Sequence, residues 1–424
     1  MKLNEKYKNE TVKMVIIADD FTGALDTGIQ FAKGGAKTIT LVNVDIEAED
    51  ISHMECEVLV INSETRHLEK RDAYRIIYGI VRKCVRGGVP YLYKKTDSVL
   101  RGNIGAELKA VLDASGEKFL AMVPAYPQIG RNTVGGIHYV NQIPIADTLL
   151  GKDPFDPVKS SRVADLFLQE HVYVRDRMHC EDELPSLKTP GILIYDSGTT
   201  EEMAAIAEKL VCEYGIHMMA GCAGFAFFLS KKFHFNRKTE VLQKFSCPLL
   251  VLCGSVSDIS RKQIACEERQ GTFHVTLKNN QKKRGYLGTQ EGSRWLESLR
   301  REFTDRKMLL LDTEIPDFSG MMGGEENLRT DISELLGCIA GNLIIGCKEA
   351  VIMVIGGDTL LGFLKQMECR QIIPMEEVET GTVLSKIIDG KKKMWLISKS
   401  GGFGDEELVT RVINKLGFER SKER

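Results

Sequence analysis

Asp19 and Asp20 follow the apolar run Met14 to Ala18, and the turn Asp19-Asp20-Phe21-Thr22-Gly23 leads into a helical pattern. Adjacent carboxylates at the end of a buried strand can hydrogen-bond hydroxyl groups or hold a hard cation. One of them could equally cap the helix while the other is solvated, and both uses stay open. A second group, Lys94-Lys95-Thr96-Asp97-Ser98-Val99-Leu100-Arg101-Gly102-Asn103, stands just after another strand pattern. It combines a planar fork for a carboxylate with hydroxyl-binding groups and a candidate base. A solvated charged face would have a similar composition. A third polar loop, Gly130-Arg131-Asn132-Thr133, follows the run Phe119 to Val123. An acidic turn, a cationic loop and an arginine loop after strand ends point to a small polyol acid as ligand.

The C-terminal part repeats one device: an apolar strand, a Gly/Ser turn, then a helix. The instances are LLVLCGSVSDISRKQI from Leu249, VIMVIGGDTLLGFLKQM from Val351 and MWLISKSGGFGDEELV from Met394. A turn without bulky side chains lets backbone N–H groups approach an anion, and a helix start adds a favourable dipole. In one parallel sheet such turns would meet at the carboxyl ends of the strands, where open α/β sheets bind ligands. The expected ligand carries phosphate and is most simply a nucleotide. Gly356 and Gly357 permit close backbone approach, Thr359 can cap the helix or bind phosphate, and Asp358 can reach Mg²⁺ or a ribose. Lys399, before Ser400-Gly401-Gly402, can neutralise phosphate charge. A tight turn with no ligand would look the same. The chain has no GxxxxGK[ST] loop and no GxGxxG at its first strand, which weakens a dinucleotide reading.

The elements that must position these groups alternate. Strands are expected at Met14 to Ala18, Thr38 to Val42, Val58 to Ile61, Tyr91 to Lys94, Phe119 to Val123, Gly191 to Tyr195 and about His217 to Ala220. Helices are expected near Ala24 to Lys33 and Lys70 to Arg86. Residues 124–160 read as loop-rich, and a charged stretch from Lys231 to Phe245 precedes a new strand at Pro248. Further on come a charged helix with loops over 279–307, a strand at Leu309 to Asp312, a loop at Gly320 to Asn327 and a helix from Asp331 to about Lys348. The fold class is therefore α/β with two domains, 1–235 and 246–424, each a largely parallel sheet flanked by helices.

Bulk composition sets limits. With 57 basic and 59 acidic residues and a formal charge of −2, binding nucleic acid through bulk positive charge is not expected. Eleven cysteines without a CxxC pair read as reduced thiols of a cytosolic enzyme, several in strands (Cys247, Cys253) or helices (Cys84, Cys212, Cys266). A polar N-terminus and the lack of an apolar run of about 18 residues predict no membrane partner and a cytoplasmic location. The histidines show no metal spacing, and no metal ligands are assigned. Cys222, in Gly221-Cys222-Ala223-Gly224, reads as part of a small-residue turn without an activating base. The sequence does not decide between a monomer and a homodimer.

Taken together, the motifs resemble a known family. DDFTGALDTG, KKTDSVLRGNIGAEL, VPAYPQIGRNTVGGIHYVNQIPIADT, KDPFDPV, GCAGFA, GSVSDISRKQI, VIGGDTLLGFL and SKSGGFGDEEL are similar, in order, to signature stretches of the four-carbon acid sugar kinases. The resemblance implies an N-terminal domain that binds a sugar acid and a C-terminal domain that binds ATP, with the active site in the cleft between them. It implies phosphoryl transfer to a hydroxyl of a tetronate such as erythronate, threonate or 3-oxo-tetronate, assisted by Mg²⁺. By motif, ATP contacts would include Ser255, Ser257, Gly356, Gly357, Asp358, Thr359, Gly401 and Gly402, with Lys399 beside them. Substrate contacts would come from Asp19, Asp20, Asp97, Arg101 and Arg131, with Lys95 and Asn103 from the same cationic run.

Asp97 is the expected general base, with Asp20 as its competitor, and Arg101 and Arg131 are expected to clamp the substrate carboxylate. Two departures from the family pattern stand out: Val99 replaces a small hydroxyl residue, and Glu379-Thr380-Gly381-Thr382-Val383-Leu384 replaces a Pro-Gly-Val-Pro loop. The first would bear on substrate choice, the second on a loop near the nucleotide. A nucleotide-dependent oxidoreductase and a non-catalytic sugar-acid sensor are the alternatives; intact Asp97, Arg101 and GGDT speak against the sensor.

Overall fold

The computed structural model describes residues 12–42, 46–152, 157–186, 188–235, 244–255, 257–283, 285–314, 325–388 and 393–420. Most of KDPFDPV and of the loop expected at Gly320 to Asn327 lies outside them. The chain forms two compact units, Met1–Thr239 and Glu240–Arg424.

The first unit contains β1 (Met14–Ala18), α1 (Phe21–Lys33), β2 (Thr38–Leu41), α2 (Ala48–His53), β3 (Val58–Asn62), α3 (Lys70–Arg86), β4 (Tyr91–Lys95), α4 (Ile104–Ser115) and β5 (Phe119–Val123). There follow β6 (Arg131–Val134), β7 (Ile137–Val140), β8 (Ile143–Pro144), β9 (Tyr173–Met178), β10 (Gly191–Tyr195), α5 (Thr200–Glu208), β11 (Met218–Gly221) and α6 (Ala223–Ser230). Strands such as MVIIA and VLVIN are buried throughout and do not alternate apolar with polar residues, because helices cover both faces of their sheet. They run parallel in the order β2-β3-β1-β4-β11-β5-β10-β9. The register pairs Ala18 with Asn62 and Lys95, and Gly221 with Lys95 and Val123. The chain thus leaves five neighbouring strands at one edge, which brings the Asp19, Arg66, Lys95 and Cys222 loops together.

Successive residues of β4 point to opposite faces. Leu92 joins the apolar layer of α3 and α4, and Tyr93 joins the layer of α1 and α6. Lys94 follows Leu92 into the α4 side, where its ammonium lies 2.9 Å from Glu107 with neither side chain exposed. The Thr65 hydroxyl donates to the same carboxylate. Lys94, read from sequence as part of a cationic loop, is a core residue.

Residues 124–160 are more ordered than expected. β6, β7 and β8 form a 3-stranded antiparallel sheet. Its first hairpin turns on Gly135 and Gly136, both at positive φ (61° and 75°), as a two-residue turn between twisted strands requires.

The second unit contains β12 (Leu249–Cys253), α7 (Asp258–Arg269), β13 (His274–Leu277), α8 (Gln290–Arg306), β14 (Met308–Thr313), α9 (Glu325–Ile344), β15 (Glu349–Ile355) and α10 (Gly357–Gln366). It closes with β16 (Gln371–Glu379), β17 (Thr382–Ile387), β18 (Lys393–Lys399) and α11 (Leu408–Lys415). β13-β14-β12-β15-β18 run parallel, and β17 and β16 continue antiparallel. The segment Glu379 to Leu384, expected as a loop, is the tip of this hairpin, with Thr382, Val383 and Leu384 already in β17. Cys247 lies just before β12 rather than in it, and all eleven cysteines are free. Among the described residues no helix is long and apolar enough to cross a membrane.

The Lys94–Glu107 pair gives a test of the packing. Lys94→Met should strand a buried carboxylate and cost about 3–5 kcal/mol, read as a lower urea midpoint. The double variant Lys94→Met/Glu107→Leu should recover most of that loss.

Candidate active site

Carboxylates and cations interleave at the carboxyl edge of the first unit's sheet. The Arg66 guanidinium donates from Nε to Asp19 Oδ2 at 2.7 Å and from Nη1 to Asp20 Oδ2 at 2.9 Å. Its Nη2 lies 2.9 Å from Asp20 Oδ1 and 3.8 Å from Asp97 Oδ1. Lys95 Nζ sits 3.4 Å from Asp20 Oδ1 and 3.6 Å from Asp19 Oδ1. Arg101 closes the array on Asp97, with Nε 2.7 Å from Oδ2 and Nη2 3.3 Å from Oδ1. Asp19, Asp20, Lys95, Asp97 and Arg101, expected from sequence, therefore meet in one cluster. Arg66, which holds it together, is absent from the sequence reading. Its signal was the one used for the others: Ser63-Glu64-Thr65-Arg66 follows a buried apolar strand.

Asp20 takes the capping role that the sequence left open and adds an ion pair to it. Its Oδ1 accepts from the Gly23 N–H at 3.0 Å and caps α1, while its carboxylate pairs with Arg66. A Cβ on Gly23 would stand 2.1 Å from Lys95 Nζ, so any side chain there would push the ammonium out of the cluster. Asn103 turns inward: its amide donates to the carbonyls of Thr65 (3.0 Å) and Leu68 (2.7 Å), pinning the loop that carries Arg66.

Arg131, at the start of β6, donates to the Ser98 hydroxyl and so stands beside the Asp97 loop. His138 is fully buried, with Nδ1 2.9 Å from the Thr133 hydroxyl and Nε2 3.1 Å from the Ser98 carbonyl. Burial lowers its pKa to about 4, so it is neutral near pH 7 and serves as a satisfied core residue. Val99 packs with Ile145 and Val158 instead of facing the charged cluster, so its side chain shapes the site only through the loop backbone. The Cys222 thiol is buried and pushed up to about 11, which makes it inert.

In the second unit β12, β15 and β18 are adjacent and parallel, so the Ser255, Gly356 and Gly401 turns meet at their carboxyl ends. Ser257 caps α7, and its hydroxyl donates to the Gly401 carbonyl at 2.7 Å, as does that of Ser260. Ser255 Oγ lies 3.2 Å from Ser257 Oγ. Gly356 has φ 109°, a conformation side chains rarely adopt, and its carbonyl begins α10, with Asp358 exposed and Thr359 buried in the first turn. A Cβ on Gly402 would meet nothing within 4 Å, so internal packing does not demand that glycine. The third device departs from expectation: α11 begins at Leu408, and Gln263 of α7 holds the intervening loop through the carbonyls of Phe403 (3.0 Å) and Asp405 (2.7 Å). That loop offers backbone groups without an adjacent helix dipole. Lys399 is buried, donates to the Ser400 carbonyl at 2.8 Å, and has no carboxylate partner among the described residues.

Residues 14–229 match the model of a sugar-binding N-terminal domain, and residues 250–409 that of a nucleotide-binding C-terminal domain. The chain belongs to the four-carbon acid sugar kinase family. It is 29% identical to a Salmonella typhimurium protein named D-threonate kinase, over 95% of this chain and 98% of that one. It is 26% identical to a Heliobacterium modesticaldum protein named D-erythronate kinase, over 95% and 97%. A solved Haemophilus influenzae protein of the DUF1537 family shares the fold at a TM-score of 0.72, with 19% identity over 94% of this chain and 99% of that one.

Membership makes the chain a phosphotransferase, and the electrostatics of this kinase bear on how its site works. Burial alone would raise the Asp19 and Asp97 carboxyls. Arg66 and Lys95 around Asp19, and Arg66 and Arg101 around Asp97, outweigh it and hold both well below the usual carboxylate range. Depressed folded values mean that these acids stabilise the fold above their unfolded pKa near 4 and lose that contribution as pH falls further. The urea midpoint should therefore fall as pH drops from about 5 to about 3. Arg66→Met should lower stability at neutral pH by roughly 2–4 kcal/mol and flatten the acid dependence. An unchanged slope would mean that Arg66 is not what holds the carboxylates ionised.

Proposed function

We propose that this enzyme transfers the γ-phosphate of ATP to a hydroxyl of a four-carbon sugar acid, a tetronate such as threonate, erythronate or 3-oxo-tetronate. The observation that carries the reading is the charged cluster of Asp19, Asp20, Arg66, Lys95, Asp97 and Arg101 on one sheet edge. Such a site matches a small ligand with one carboxylate and several hydroxyls. Carboxylates accept from hydroxyls, and guanidinium groups take a carboxylate through two parallel bonds. Arg101 and Arg131 are assigned to the carboxylate, Asp19, Asp20 and Lys95 to the hydroxyls, and Asp97 to the proton of the acceptor hydroxyl. Asn103 supports them by holding the Arg66 loop.

For the nucleotide, the N–H groups of Gly357, Gly401 and Gly402 and the hydroxyls of Ser255, Ser257 and Thr359 are assigned to the phosphates; the Gly356 N–H donates to the Lys399 carbonyl at 3.0 Å, and that glycine serves the turn. Lys399, which has no carboxylate partner among the described residues, is assigned to neutralise phosphate charge. Among the described residues no group of three or more His, Cys, Asp or Glu side chains could hold a metal. Asp19 and Asp20 are already neutralised by Arg66 and Lys95. The donor set therefore fits Mg²⁺ carried on the phosphates and its own waters, with the exposed Asp358 as the available protein ligand. When bound, that ion would neutralise charge on the transferring group. The protein's share is positioning, charge neutralisation and exclusion of water.

The deciding assay is ADP release with ATP-Mg²⁺ against D- and L-erythronate, D- and L-threonate and the 3-oxo-tetronates. Release should depend on one acid. Asp97→Asn should lower kcat on that acid by about 10²–10⁴-fold with ATP affinity unchanged; a near-normal rate would remove Asp97 from the chemistry. Release with no acid would sink the reading.

Burial lowers Lys399 to about 8. Phosphate binds the protonated amine, which is complete only below that value. ATP affinity should be level below about pH 7 and weaken above pH 8 by up to tenfold per unit, whereas Lys399→Arg should abolish the dependence. A flat profile in the unaltered enzyme would show that Lys399 does not face the phosphates.

A further inference from the structure

Asp97 carries a conflict that the proposed function leaves unresolved. The assigned base is clasped on both oxygens by Arg101, and a carboxylate so paired is a poor proton acceptor. Arg101 is also the cation assigned to the substrate's carboxylate.

The loop explains how both can hold. Leu100 lies at φ 62° and Gly102 at φ 85°, and the Leu100 N–H returns to the Asp97 carbonyl at 3.1 Å. A leucine in the left-handed region is strained, and here the strain folds Arg101 back onto Asp97. The Arg101 backbone N–H also donates to Asp97 Oδ2 at 3.3 Å, so the carboxylate keeps an anchor when the guanidinium leaves. The Arg101 side chain is 33% exposed, against 10% for Arg66 and 6% for Lys95. Of the three cations it is the one an incoming anion can reach and turn. The other groups around Asp97 are Arg66 from the loop after β3, Lys95 from β4, Asp19 and Asp20 after β1, and Arg131 and His138 from the β6–β7 hairpin.

We propose that Arg101 is a substrate-operated switch: its guanidinium occupies Asp97 in the free enzyme, and the carboxylate of the four-carbon acid draws it away, freeing Asp97 to act as base. The proposal rests on the kinase reading above. In the step itself the acceptor O–H bond breaks, with its proton passing to Asp97. The oxygen forms a bond to the γ-phosphorus, and the bond from that phosphorus to the β–γ bridging oxygen breaks, its electron pair leaving on ADP. An acceptor without a carboxylate would meet a base that is still clasped.

The test compares the preferred tetronate with the neutral tetritol of the same configuration, using the unaltered enzyme, Arg101→Met and Arg101→Lys. The unaltered enzyme should show a tetritol defect in kcat as well as in KM. Arg101→Met should raise KM for the tetronate by about 100-fold, yet raise kcat on the tetritol tenfold or more, because Asp97 is unclasped. Arg101→Lys, which keeps a cation at Asp97, should not show that gain. Loss of tetritol turnover in Arg101→Met at an unchanged unfolding temperature would overturn the switch and leave a simple carboxylate clamp. Equal kcat on tetronate and tetritol in the unaltered enzyme would also overturn it, needs no variant, and would assign the release of Arg101 to the nucleotide phosphates. If the unaltered enzyme phosphorylates no four-carbon acid, the kinase reading itself fails and the switch with it.

Discussion

Arg66 is the interaction on which the first unit's site depends. One guanidinium spans Asp19 and Asp20 on the loop after β1 and approaches Asp97 on the loop after β4. Without a cation in that position, the buried Asp19 and Asp97 would tend to take up protons to escape the cost of burial. With it Asp19 and Asp97 remain ionised and fixed in place. The supporting contacts reach well beyond the cluster. Asn103 holds the Arg66 loop by its carbonyls, and Glu107 binds both Thr65, the neighbour of Arg66, and Lys94, the neighbour of Lys95.

The two units manage charge in opposite ways. The first neutralises its site internally, carboxylate against cation. The second leaves Lys399 buried without a carboxylate partner among the described residues, its ammonium donating to the Ser400 carbonyl. A self-neutral site favours a ligand that exchanges one ion pair for another, as a carboxylate would by drawing Arg101 from Asp97. An uncompensated site favours a polyanion that supplies the missing charge. That contrast suits an enzyme whose acceptor carries a single charge and whose donor carries several.

Much of this was legible before the fold was known. Continuous apolar runs ending in polar or glycine-rich turns gave the parallel strands, and the strand-end rule picked out Asp19, Asp20, Lys95, Asp97, Arg101, Gly356 and Gly401 as neighbours in kind. Other features were missed for identifiable reasons. Residues 131–144 form strands although they are polar and short, and only Gly135-Gly136 signalled the hairpin. Lys94 read as surface charge because its partner Glu107 lies on a helix thirteen residues on, which no local pattern reveals. Val99 read as a departure at the site, and its burial against Ile145 and Val158 depends on a segment distant in sequence.

By itself the sequence determined the α/β class, the kinds of groups at each strand end and the family, because these follow from local periodicity and short motifs. The tertiary structure decided which charges pair. Strand order and register set the β1, β3 and β4 loops side by side and so made Arg66 the common partner of Asp19 and Asp20. A left-handed Leu100 folded Arg101 onto Asp97. The Arg66 pairs join residues tens of positions apart, and their distances of a few ångströms exist only once the sheet has brought the loops together.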